Sequence, residues 1–166
     1  IVRCEVAQHE VGDGYRFRLG KGVTVVDDGA DAGIVCTGYM IRTAKAAARK
    51  LKEKGIRVRV DHHSSLKPFD RSLVRDLAGK VPVIVTAENH CRSGGLYSLV
   101  AETLAATGCG VPVGAIGTDP DDFIHTGHVN DLLAHYEMTS EHVVRKIEAL
   151  LGRGTGRASE ANAGHG

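Results

Sequence analysis

Hydrophobic and polar positions along this chain fall into short runs with two distinct periods. Residues 23–26 and 33–37 are short, β-branched and apolar, and Asp27-Asp28-Gly29-Ala30-Asp31 between them has the composition of a turn. Together they predict a hairpin, with one antiparallel strand at a sheet edge. After Gly38 the period lengthens to that of a helix. Met40, Ile41, Ala44, Ala47, Ala48 and Leu51 share one face, lysines and arginines take the other, and Gly55 stands where the helix would be capped. Residues 56–60 alternate and predict the next strand. Lys67-Pro68-Phe69-Asp70 predicts the start of a second helix, since proline is tolerated in a first turn and an acid is favourable there. Residues 81–86 form a nearly continuous apolar run, as expected of a strand buried on both faces, with Pro82 at its start.

The same two periods continue to residue 151. Residues 96–106 predict a third helix ending at Gly108, and residues 111–116 a further strand. Residues 128–136 and 139–151 predict two more helices. The last is capped by Thr139 or Ser140 and buries Val143, Val144, Ile147, Leu150 and Leu151. Residues 152–166 are glycine, alanine and serine with scattered polar groups, too poor in apolar area to repay ordering, and are expected to be disordered. Strands alternating with amphipathic helices predict an α/β fold. The expected form is a three-layer, Rossmann-like mixed sheet of about five strands, mostly parallel with one antiparallel edge strand, and helices on both faces.

Composition narrows the partners. The 166 residues fit one domain, and 42% hydrophobic content is enough for a core. The net charge is +1, with Lys45, Arg49, Lys50, Lys52 and Lys54 spread along a helix face, which argues against a nucleic-acid partner. No apolar run approaches the roughly 20 residues that span a membrane, and no signal-peptide pattern is present. Cys4, Cys36, Cys91 and Cys109 form no C-x-x-C pair, which leaves a reduced, cytoplasmic setting as the default.

The most informative stretch is residues 84–98. An apolar strand runs into Glu88 and His90, then Ser93, Gly94 and Gly95, then a helix carrying Tyr97 and Ser98. In parallel sheets ligands bind at the edge where strands end. Glu88 with His90 suits acid–base chemistry, and the glycines suit an anion at the helix N-terminus. Equally, the acid and histidine can bond their own loop or a partner while the glycines make a tight turn. Gly38-Tyr39 offers a second close-approach point at a strand end, without a dinucleotide fingerprint. His62, His63, His90, His125 and His128 fall near predicted strand ends or loops. A metal site needs three or four converging ligands, and solvated or loop-bonding histidines are the plainer reading. The acids of residues 27–31 lack the further ligands and closing glutamate of a calcium loop.

Several spaced motifs resemble one family. Phe17-Arg18-Leu19-Gly20-Lys21 resembles the linker entering the C-terminal domain of transketolase-type thiamine-diphosphate enzymes, a group that includes 1-deoxyxylulose-5-phosphate synthase and 2-oxo-acid dehydrogenase β subunits. Residues 29–38 resemble that domain's opening G-x-D-x-x-I-x-x-x-G strand, and Leu66-Lys67-Pro68-Phe69-Asp70 its I-K-P-L-D helix start. Residues 85–96 resemble V-T-x-E-E-H…G-G-L, and Asp122-Phe123 with Gly127 resembles D-x-F…S-G. The likeness covers residues 17–151 and is closest to the short C-terminal subunits of split transketolases.

The resemblance implies residues 1–21 as the end of a preceding pyrimidine-binding domain and linker, 22–151 as the C-terminal domain, and 152–166 as the tail. It implies an assembly that moves a two-carbon ketol unit between sugar phosphates. Thiamine diphosphate and Mg2+ would sit in N-terminal domains or an N-terminal subunit, with which this chain would form a homo- or hetero-oligomer. No catalytic, cofactor-binding or metal residue is carried onto this chain, and alone it is expected to be inactive. Gly12-Asp13-Gly14 resembles the start of the cofactor's metal motif, but the next asparagine is Asn89, and it reads as a surface turn. Gly38, Tyr39, Glu88, His90, Ser93, Gly94, Gly95, Tyr97 and Ser98 then read chiefly as an interface and loop-shaping element. Asn89 stands where the family pattern has an acid, and Tyr97 where it has a small residue; a bulky Tyr97 would narrow any pocket there. The alternatives are a 2-oxo-acid dehydrogenase β-subunit segment and a stand-alone anion-binding Rossmann-like module.

Overall fold

A computed structural model describes residues 11, 12 and 14–160, with the backbone alone from 153 to 160. Residues 1–10 and 161–166, and Asp13, lie outside the described residues. So do Cys4, the central acid of the Gly-Asp-Gly turn, most of the segment read as a preceding domain and the end of the tail. Strands and helices follow in the order β1 (Gly22–Asp27), β2 (Ala32–Thr37), α1 (Met40–Glu53), β3 (Val58–His63), α2 (Arg71–Ala78), β4 (Ile84–Cys91), α3 (Leu96–Ala105), β5 (Val113–Thr118), α4 (Val129–His135) and α5 (Ser140–Glu160).

The sheet order is β1-β3-β2-β4-β5. β3, β2, β4 and β5 run parallel, and β1 is the antiparallel edge strand. The expected mixed α/β sheet is therefore present, but the expected hairpin is not. β1 pairs with β3, which is inserted between β1 and β2. The acidic turn instead crosses the start of β3. Asp28 and Asp31 donate backbone N–H groups to the carbonyls of Val58 and Arg57. Gly29, at φ 153°, passes so close to Arg57 that a Cβ would lie 2.6 Å from that residue's Cβ. Asp28 pairs with Lys52 and Asp31 with Arg57, so these acids neutralise neighbouring cations and do not gather round an ion.

Strand alternation sorts the core into two faces. On β2, Ala32, Ile34 and Cys36 point to one side with Val58, Val60, Val85 and the apolar stripes of α1 and α5. Val35 and Ile84 point to the other, against Val74 and Leu77 of α2 and Leu96, Val100 and Leu104 of α3. The first helix stops as its sequence requires. Gly55, at φ 78°, donates to Lys52 O while Ile56 N donates to Leu51 O, the double bond of a Schellman cap. α2 begins one residue after Asp70, whose carboxylate accepts from Leu73 N at 3.3 Å. Pro68 thus precedes the helix and is not in its first turn. α5 is carried on through Glu160, past the last residue of its apolar stripe at Leu151.

Two strands are longer than their apolar runs. β3 continues through His62 and His63, and β4 through Glu88, Asn89, His90 and Cys91. Between Ala87, opposite Ile116, and Cys91, opposite Thr118, β4 carries three residues against the single Gly117. That bulge re-aims side chains at the end of the sheet.

Candidate functional site

The parallel order reverses direction between β2 and β4, so the topological switch point lies between the ends of those strands. Open α/β sheets place ligands and contacts at this crevice. Gly38 and Tyr39 follow β2 on one side, and Asn89 and His90 end β4 on the other. Gly38, at φ 55°, has the Asn89 Oδ1 atom 3.7 Å from where a Cβ would stand. Four residues singled out in the sequence thus converge here, and His90 is exposed at the mouth.

Glu88 is not at that mouth. Period two from Ile84 turns Thr86 and Glu88 toward the α3 side, and Glu88 is 1% exposed. Its carboxylate accepts from Leu96 N at 2.7 Å and Tyr97 N at 2.8 Å. It therefore does for α3 what an N-cap side chain does, because Gly95 at the N-cap has none. Burial pushes the Glu88 carboxyl up from its ordinary value, against the pull of the two amide bonds and of His90. The place an anion would take at this helix start is filled by the chain's own carboxylate. Gly95 permits the fit: a Cβ there would overlap Glu88 Oε2 and lie 2.6 Å from Cys91 O. Gly94, at φ 73°, makes the turn and donates to Ser98 Oγ at 2.9 Å, and Ser98 in turn bonds Arg92 O. Ser93 is exposed at the turn's crest. The expected acid–histidine pair is thus divided, with Glu88 buried as a helix cap and His90 in solvent.

Of the other histidines, His125 and His128 are exposed as expected, while His62 and His63 part from expectation. His62 and His63 are buried strand residues and not solvated loop groups. His62 Nδ1 lies 3.8 Å from Cys36 Sγ on the α1 face. His63, fully buried on the α2 face, packs on Phe69 with ring centroids 4.6 Å apart. Burial holds the His62 imidazole below its ordinary value. It brings His63 down to about 4, partly opposed by Asp70 and helped by His62. His128 is the N-cap residue of α4, and His125 meets His135 edge-on at 5.9 Å. Among the described residues no three His, Cys, Asp or Glu side chains stand together as metal ligands.

Two open clefts flank β5, and one of them borders the Ser93–Ser98 segment that the sequence singled out. One, of about 560 Å3, is lined by Tyr97, Ser93, Ser98, Pro120 and Lys146. Tyr97 is half-buried in its wall, consistent with a side chain that narrows the space beside α3. The other, of about 640 Å3, lies toward His142 and Arg145, and the two share Arg92, Asp119 and Lys146. Arg92 pairs with Asp119 across their common wall. No helix among the described residues is long and apolar enough to cross a membrane.

Comparison with known proteins gives this geometry its context. Residues 20–143 match the family described as transketolase, C-terminal domain. The chain is 38% identical over 145 residues to one subunit of the apulose-4-phosphate transketolase of Phocaeicola vulgatus, covering 87% of this chain and 45% of the relative. It is 37% identical over 133 residues to 1-deoxy-D-xylulose-5-phosphate synthase of Symbiobacterium thermophilum, covering 80% of this chain and 20% of that one. Among solved structures it is similar to a split-gene transketolase described as an inactive β4 tetramer. The TM-score is 0.77 at 36% identity, over 83% of this chain and 44% of that one. The chain thus spans less than half the length of these relatives. With a family match over residues 20–143 and a 38% identical relative aligned over 87% of its length, the chain belongs to the transketolase C-terminal-domain family.

Proposed function

We propose that this chain is the C-terminal domain or subunit of a thiamine-diphosphate-dependent, transketolase-type transferase that moves a two-carbon ketol unit between sugar phosphates. In this reading its N-terminal partner, a domain or a subunit, holds thiamine diphosphate and Mg2+. The present chain supplies an interface and is inactive alone. When bound in that partner, thiamine diphosphate would supply the carbanion stabilisation that ketol transfer needs.

The start of α3, where the sequence suggested an anion, does not fit that cofactor's diphosphate. A diphosphate needs cationic or amide donors facing it, and the amides at the start of α3 already hold the Glu88 carboxylate at 2.7 and 2.8 Å. The family match and the split-transketolase relative carry the reading, and this cap supports placing the cofactor elsewhere. It turns the most suggestive acid in the sequence from a candidate catalyst into a structural cap. Its consequence is a fixed β4–α3 junction: His90 and Ser93 are exposed, Tyr97 lies half-buried in the wall of the cleft beside β5, and Gly38 and Tyr39 follow the end of β2. Those five, with Gly94, Gly95 and Ser98 shaping the turn, are the proposed interface.

The test is to purify this chain and the thiamine-diphosphate-binding transketolase subunit of the same organism, then run them together through size exclusion. The expected result is a joint complex. Failure to co-elute, with no gain in ketol transfer on mixing, would remove the reading.

A further inference from the structure

We propose that Phe123 and Ile124 anchor the carboxyl edge of this domain to the cofactor-binding domain that precedes it in the assembly, an inference that rests on the function proposed above. The loop leaving β5 is polar at both flanks, yet Phe123 is 93% exposed and Ile124 54%. A single exposed apolar side chain is ordinary, but two large ones side by side at a loop tip form a patch of the kind that marks contact surfaces.

The loop is held in shape. The Tyr136 hydroxyl accepts from His125 N at 3.0 Å and donates to Phe123 O at 3.2 Å, pinning the backbone on both sides of Ile124. At the loop's start Asp122 N donates to Asp119 O, and the Asp119 carboxylate accepts from Asp121 N and pairs with Arg92. An aromatic on a fixed backbone loses little freedom on docking, which is the character of an interface anchor.

The position is not random. Among the described residues the exposed large apolar side chains are Phe17, Leu19, Phe123 and Ile124. The loop of Phe123 follows the end of parallel strand β5. Phe17 and Leu19 precede β1, whose first residue, Gly22, pairs with His63 at the end of β3. Tyr15 OH to Ser64 Oγ at 2.8 Å and Gly20 N to Ser65 Oγ at 2.9 Å fix that segment at the same edge. All four therefore lie along the carboxyl edge, on either side of Gly38, Tyr39 and His90.

What covers this edge follows from where the chain enters. In a family defined by its C-terminal position, the preceding domain joins through the residues before β1, and those residues run along this edge. The relatives carry more than half their length outside the matched region, which is chain enough to cover it.

Calorimetric titration of this chain with the separately produced cofactor-binding domain or subunit that precedes it in the enzyme is the test. Phe123→Ser should weaken association by roughly thirty-fold or more, as loss of an anchor residue does, with the circular-dichroism spectrum unchanged. Tyr136→Phe, which removes both loop bonds, should weaken it less. Gly110→Ser, remote at the opposite edge with nothing within 4 Å of a Cβ, should leave it unchanged. A second readout uses the absence of tryptophan from the chain. A Phe123→Trp variant labelled with fluorotryptophan gives one fluorine resonance, which should move when the unlabelled partner is added. Equal binding by wild type and Phe123→Ser, or an unmoved resonance in the complex, overturns the anchor while leaving the proposed function standing. So does a Phe123→Ser variant that loses only self-association, since a second copy would then be the occupant. A wild-type chain that binds no cofactor subunit overturns both.

Discussion

His63→Leu isolates a buried base whose effect on stability can be worked out in advance. His63 closes β3 with no exposure, its ring against Phe69 and over Gly22, where a Cβ would lie 3.0 Å from its Cε1. Neither ring nitrogen has a hydrogen-bond partner among the described residues. Burial holds the imidazole at about 4 from an ordinary 6.5. For a base lowered on folding, the contribution is complete above the unfolded value and is lost as pH falls toward the folded one. Between these values the unfolded chain takes up a proton that the folded chain refuses. At about 1.4 kcal/mol per tenfold change in the proton equilibrium, the whole loss is about 3 kcal/mol. That is a large part of the roughly 5–15 kcal/mol that holds a domain folded.

Leucine cannot titrate, and it breaks no hydrogen bond because none is made. At about pH 7.5 the variant should stay within about 1.5 kcal/mol of wild type. At about pH 4.5 it should have gained about 2.5 kcal/mol relative to wild type. Asp70, His62 and the neighbouring Asp61 remain in both proteins, so the difference reports His63. Urea unfolding at the two pH values measures it. Parallel pH profiles for the two proteins would refute the reasoning, and so would a loss of several kcal/mol at neutral pH, which would mean that the ring nitrogens do hold partners.

The cap at α3 gives two further expectations. Glu88→Ala strips two bonds from a buried carboxylate to helix amides and should cost about 2–4 kcal/mol in urea unfolding. A loss below about 1 kcal/mol would contradict the capping role. Because the Glu88 carboxyl is raised on folding, wild type should gain on Glu88→Gln as pH falls from the folded value toward 4.5; wild type losing ground to Glu88→Gln on acidification would show the opposite shift. Gly95→Ala should cost about 1–3 kcal/mol by displacing Glu88 or the Cys91 carbonyl, whereas Gly110→Ala should be within about 0.5 kcal/mol of wild type by thermal melting.

Much of the fold was legible because helices and central strands bury long apolar faces. The stripe of Met40, Ala44, Ala47 and Leu51 and the run ending at Thr86 announced α1 and β4 directly. β1's partner was not legible, since a short acidic turn between two apolar runs looks the same whether the runs pair or admit a third strand. The continuation of β3 and β4 was hidden for a related reason. At the carboxyl edge the strands keep their backbone pairing after their side chains turn polar, so His62, His63 and Glu88 looked like loop residues.

At the site, the sequence brought out Gly38, Tyr39, Glu88 and His90 but not their division of labour, which depends on a bulge and on strand parity. The clefts beside β5 were legible only at Ser93, Tyr97 and Ser98, because Arg92, Asp119 and Lys146 come from separate elements. Phe123 and Ile124 did leave one: two large apolar residues inside a run of acids, histidines and glycine, too short for a strand or helix, are a contact signal in themselves.

The central claim is that this domain completes an enzyme whose cofactor is held elsewhere. Ketol transfer between sugar phosphates should be measured with thiamine diphosphate and Mg2+ for this chain alone, for the cofactor-binding subunit alone and for their mixture. The account predicts activity only in the mixture, saturating as this chain is titrated in. Full activity of the cofactor subunit without it, or turnover by this chain alone, would contradict the account.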